Sequence, residues 1–106
     1  SYEAAEGLKT YLSFPEGLEH IGTDAFSFNP AMNYVYIPSS VKYIGHHAFW
    51  KSCYEENGEI KGIPELNIAL SKEEFKENVE TGDQWVPIYN HNLLKKIPVN
   101  YGAERK

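Results

Sequence analysis

His46 and His47 stand side by side, with Trp50 and Cys53 close behind. Imidazole and thiolate are the usual zinc ligands, so His46, His47 and Cys53 form the first constellation to weigh. Their spacing fits no standard structural zinc pattern, and neighbours on a helical turn point about 100° apart. No metal and no cofactor is expected. His20 and His91 have no partner acid in sequence reach. Nucleophilic catalysis needs a nucleophile, a base and a third group that orients the base. The chain has no G-x-S-x-G, H-E-x-x-H, P-loop or G-x-G-x-x-G motif to provide them. Cys53 reads as a small core residue. Glu73, Glu74, Glu77 and Glu80 read as the solvated face of a helix. Recognition is the remaining chemistry. Tyr11, Tyr34 and Tyr36, with Ser13 among them, offer rigid area with polar tips, and Trp50 is a second aromatic candidate. Tyrosine also suits a half-exposed sheet on propensity alone.

These residues are placed by a repeat. Pro15, Leu18, Ile21, Gly22, Ala25 and Phe26 recur 23 positions later as Pro38, Val41, Ile44, Gly45, Ala48 and Phe49. A fixed period in the twenties marks a stacked-coil architecture, which works through extended surfaces. A short strand precedes each proline, residues 10–14 and 33–37, and both alternate with period two. Leu12, Phe14, Val35 and Ile37 share the phase assigned to the core. Tyr11, Ser13, Tyr34 and Tyr36 share the phase assigned to the outside. Pro15 and Pro38 end the strands, having no N–H for a ladder. Gly22 and Gly45 imply either a positive φ or a close approach between coils. Residues 23–26 and 46–49 fit one short helical turn. Burying each phenylalanine contributes roughly 1.5–3 kcal/mol. Trp50, following the buried Phe49, is expected to lean outward or toward the next loop.

Residues 54–64 break the period, carry two glycines and read as an inserted polar loop. Residues 66–70 restore a strand, with Leu66, Ile68 and Leu70 in core phase, as a third rung. Ser71-Lys72-Glu73-Glu74 is a capping box that predicts a helix over 72–80, with Phe75 and Val79 inward. Residues 85–89 and 93–99 read as further strands. Residues 71–99 are therefore read as a non-repeating cap over the apolar end of the stack, and 103–106 as frayed.

The unit resembles the BspA-like leucine-rich repeat, approximately I-P-x-x-V-x-x-I-G-x-x-A-F-x-x-C. Residues 37–49 match it position by position. Residues 14–26 match with Phe14 for the first isoleucine and Leu18 for valine. The family's cysteine is replaced by Asn29 in one copy, and Cys53 comes one residue late in the other. The resemblance covers about residues 8–53. It implies an α/β solenoid: a leucine-rich repeat coil of short strands with a small α/β C-terminal cap. On this reading residues 1–106 are one domain, with two repeats at 8–53, an inserted loop at 54–65, and a third strand and cap at 66–99.

The resemblance also implies a non-enzymatic binding module of a bacterial surface or secreted protein, with a protein or glycan ligand. The alternative is a structural spacer or assembly module of a larger surface or virion protein. The bulk numbers agree with one domain: 106 residues, 42% of them apolar. A net charge of -5 argues against nucleic acid and anionic membranes. No apolar run approaches the ~18–20 residues that span a bilayer. The first residues lack the basic and apolar regions of a secretion signal, and the chain does not begin with methionine. Two repeats are fewer than such arrays need. The expectation is a piece of a longer array, or self-association through an uncapped first coil.

Overall fold

A computed structural model describes residues 10–106. In chain order the strands are β1 (Thr10–Ser13), β2 (His20–Ile21), β3 (Met32–Ile37) and β4 (Tyr43–Ile44). A hairpin follows, β5 (Cys53–Glu56) and β6 (Glu59–Gly62), then β7 (Leu66–Ile68). The helix α1 (Lys72–Asn78) precedes β8 (Glu80–Thr81), β9 (Ile88–Asn90), β10 (Lys95–Lys96) and β11 (Val99–Tyr101).

Two parallel sheets organise the chain. One has the order β1-β3-β7-β11 and the other β2-β4-β8. Each of the first three passes leaves one strand in each sheet, and the fourth adds β11 to the larger one. Tyr11 pairs with Tyr34, Leu12 with Val35 and Ser13 with Tyr36. In the second sheet His20 pairs with Tyr43 and Ile21 with Ile44. The repeated residues therefore lie directly beside their copies. Ser40 Oγ donates to the Leu18 carbonyl and accepts from the Gly17 N–H, tying the two proline turns together.

The core lies between the sheets. Ile21, Val35, Ile37, Val41, Ile44, Phe49, Leu66 and Ile68 are buried in one cluster, with Phe26 packed against it. The Phe26 and Phe49 rings stack at 5.8 Å with 15° between planes. Alternation explains the strands: the side chains facing the cluster are apolar, and their neighbours point to the opposite face.

The glycines act through close approach. A Cβ on Gly45 would overlap the Thr23 backbone nitrogen and lie 2.7 Å from the Gly22 carbonyl carbon. A Cβ on Gly82 would overlap the His46 nitrogen and lie 2.9 Å from the Gly45 carbonyl carbon. Among the described residues nothing lies within 4 Å of such an atom on Gly22. Positive φ occurs two residues later instead, at Asp24 (56°), His47 (53°) and Gln84 (51°). A second left-handed pair, Phe28 and Lys51, closes each turn.

The third pass extends beyond the residue where the sequence reading begins the cap. Tyr36 pairs with Asn67 and Ile37 with Ile68, then Tyr43 with Glu80 and Ile44 with Thr81. Glu80 thus belongs to a strand. The helix predicted over 72–80 stops at Asn78, because Val79 is already extended (φ -116°, ψ 124°). Phe75 is buried and Val79 partly buried. Ser71 caps the helix in both directions of the capping box.

Three further readings are corrected. Residues 54–64 are no irregular loop. Asn57 (φ 51°) and Gly58 (φ 81°) make the tight turn between β5 and β6, the left-handed pair that matches strand twist. The strand read at 85–89 starts only at Ile88, after the buried Pro87. The strand read at 93–99 divides: Leu93 and Leu94 are exposed in a turn, Lys95–Lys96 pairs with β9, and Pro98 separates it from β11. There Val99, Asn100 and Tyr101 pair with Leu66, Asn67 and Ile68 as a fourth rung. Among the described residues the result is a small mixed α/β domain of four small sheets, with a radius of gyration of 13.2 Å.

Candidate functional site

The tyrosine face exists as a row but is not open. Tyr34 and Tyr36 lie opposite the core cluster, yet they are only 4% and 6% exposed, whereas Tyr11 is 60% exposed. The expectation that Tyr34 and Tyr36 present themselves to solvent is therefore corrected. What covers them is the segment 103–106, which was expected to fray. The Ala103 N–H donates to the Ile68 carbonyl and turns the chain across the sheet. The Arg105 guanidinium lies 4.5 Å from the Tyr36 ring centroid. Its Nη1 donates to Ser13 Oγ and, at 2.8 Å, to the Phe14 carbonyl. The Lys106 N–H donates to the Tyr34 hydroxyl at 3.1 Å, and Lys106 Nζ lies 5.3 Å from that ring's centroid. The Tyr11 and Tyr34 rings lie 5.1 Å apart, tilted by 34°.

Further along the same row the polar side chains make a ladder. Asn100 Nδ2 donates to Asn67 Oδ1, and Asn67 Nδ2 donates to the Val35 carbonyl. This end of the face is occupied by its own hydrogen bonds.

Trp50 sits elsewhere, at the corner after Phe49. It is half-buried and does not lean free into solvent. His47 stacks on it at 4.0 Å with 9° between planes, His46 stacks on His47 at 3.8 Å, and His91 meets Trp50 edge-on at 5.0 Å. His47 Nε2, when protonated, donates to Gln84 Oε1 at 2.8 Å. The histidines thus form an aromatic pile. Among the described residues no group of three His, Cys, Asp or Glu is arranged to hold a metal.

Beside that pile opens a groove of about 460 Å³, lined by Phe28, Pro30, Lys51, Cys53, Tyr54, Tyr89 and His91. Its rings come from different passes. Phe28 follows the first turn, Tyr54 lies on the hairpin and Tyr89 on β9. Phe28 is 67% exposed and Tyr54 is also open. Lys51 Nζ lies between two rings, 5.9 Å from Phe28 and 6.0 Å from Trp50. Asn90 Nδ2 donates to Glu55 Oε1 at 2.9 Å, fastening β9 to the hairpin. Burial pushes the Cys53 thiol up to about 11, so it stays protonated at neutral pH and is a poor nucleophile.

Sequence reasoning picked Trp50 but missed Phe28, Lys51, Tyr54, Tyr89 and His91 as a group. One signal was present. Phe28 and Lys51 occupy equivalent left-handed positions of the repeat, where a bulky aromatic is uncommon. The other rings reach the groove only through the hairpin and β9, which lie outside the repeated pattern.

Comparison of the chain with protein-family models, curated proteins and solved structures finds no match. Among the described residues no helix is long and apolar enough to cross a membrane.

Proposed function

We propose that the chain is a non-enzymatic binding module, built as a short leucine-rich repeat solenoid and binding a protein or glycan ligand. Two observations support the solenoid reading: the parallel register of each repeat on its copy, and the close backbone approach at Gly45 and Gly82. The binding reading rests on the groove. The exposed rings of Phe28 and Tyr54 and the half-buried ring of Tyr89 converge there beside a lysine and a histidine, and no polar ladder fills the space. Aromatic faces stack on sugar rings or on apolar side chains, and the cation orients a polar group. By the same resemblance the module belongs to a surface or secreted protein.

The test is a glycan array and a cross-linking screen against surface proteins, followed by titration of the best ligand. Phe28→Ala and Tyr54→Ala are each expected to weaken binding by about 2 kcal/mol, roughly thirtyfold, without changing the melting temperature by more than a few degrees. Unchanged affinity in both variants removes the groove from the reading. The alternative assembly role is favoured by one feature: among the described residues β11 pairs only with β7 and leaves its outer edge open. Light scattering that shows a dimer favours that role instead.

A further inference from the structure

We propose that the tyrosine face is a second binding surface, separate from the aromatic groove, which accepts an arginine-containing peptide segment of a partner protein. The chain's own residues 103–106 occupy it as an internal stand-in. The face has the parts such a peptide requires. Tyr36 offers a ring face to a guanidinium, and Arg105 uses it at 4.5 Å. The Phe14 carbonyl and Ser13 Oγ accept from the same guanidinium edge, so the arginine is held by direction as well as charge. Glu16 stands at the rim, its Oε1 3.9 Å from Arg105 Nη2. One residue further on, the Tyr34 hydroxyl accepts from the peptide backbone and the Tyr34 ring faces an ammonium. Tyr11 extends the platform past the last of these contacts and is left largely open. In an acidic chain this pattern selects basic peptides.

The covering segment is placed to release. Gly102 and Ala103 are tied to the sheet by backbone bonds to Leu70 and Ile68. Beyond them Glu104, Arg105 and Lys106 are exposed, and the contacts that hold them run through the side chains of the face and the Phe14 carbonyl. A tethered occupant competes at a high effective concentration, so a partner's peptide binds weakly until the tether's grip is reduced.

The experiment uses the full chain with Arg105→Gln and Lys106→Gln together. The probe is a synthetic peptide of residues 102–106, Gly-Ala-Glu-Arg-Lys, followed by NMR of the tyrosine rings. The variant is expected to bind the peptide at least about tenfold more tightly than the unaltered chain, with shifts at Tyr34 and Tyr36, because the competing occupant is weakened. The same peptide with glutamine in place of arginine is expected to leave the rings unmoved. Equal binding by both chains, or no shift in the variant, overturns the proposal. Should the variant fail to fold, hydrogen exchange on the unaltered chain decides. The Lys106 amide is expected to exchange about 100-fold or more faster than the Val35 amide. Exchange as slow as Val35 would make the segment a fixed part of the fold and end the idea.

Discussion

At the scale of single residues, two glycines of the same repeat position behave differently. Gly22 and Gly45 are equivalent in sequence, but among the described residues only Gly45 has a neighbouring backbone where its Cβ would stand. Gly45→Ala and Gly82→Ala are expected to lower stability by about 1–3 kcal/mol, since backbone must move to admit the methyl group. Gly22→Ala is expected to be near neutral or slightly stabilising. Thermal melts of the three variants check the ordering. Cys53 gives a pH prediction. Its thiol loses its proton near 9.0 when the chain is unfolded and near 11 when folded. Between those values the folded state holds the extra proton, so stability is intact below about pH 9 and falls as pH rises toward 11. Cys53→Ser is expected to flatten that alkaline decline. Maleimide labelling at pH 7 is expected to be slow relative to the urea-unfolded chain.

At the scale of elements, the clearest case is α1. Ser71 accepts from the Glu74 N–H, and Glu74 Oε1 accepts from the Ser71 N–H. The Ser71 N–H, and after it the Ser71 hydroxyl, favour the ionised carboxyl and hold Glu74 below its ordinary value of 4.5. The stabilisation is therefore present above pH 4.5 and lost as pH falls through the lower, folded value. Ser71→Ala is expected to cost about 1 kcal/mol and to return the Glu74 carboxyl to its ordinary titration, read by NMR. This element was legible because its signal is local: Ser71 and Glu74 are three residues apart. The tight turn at Asn57-Gly58 carries an equally local signal, which the polar composition of 54–64 concealed. The end of α1 was not legible. Val79 and Glu80 suit a helix as well as a strand, and pairing with Tyr43 across the molecule decides for the strand.

At the scale of the whole molecule, two parallel sheets share one core. Backbone bonds between passes add to the strand pairing, as from the Phe26 N–H to the Ala48 carbonyl and the Gly82 N–H to the Ile44 carbonyl. β3 is an inner strand, held by β1 on one side and β7 on the other. Its amides are expected to be the slowest to exchange, with those of β10 and β11 opening first. A molecule whose β11 amides outlast those of β3 would not be stacked in this order. The repeat at 15–26 and 38–49 was readable because the same side chains, at the same spacing, demand the same backbone. Ile21 beside Ile44 and Phe26 on Phe49 follow from that. The first strand of the third pass was readable at 66–70, but its second, Glu80–Thr81, was not, since of the repeated positions there it keeps little beyond Gly82, and its place comes from packing on Gly45. The fate of the tyrosines lay furthest from the sequence. Alternation puts Tyr34 and Tyr36 on the face away from the core, but only the fold brings Arg105 to Ser13, 92 positions away, to cover them. Local rules set which way a side chain points. What stands in front of it depends on long-range contacts, and those are made by residues whose own sequence neighbours carry no trace of the meeting.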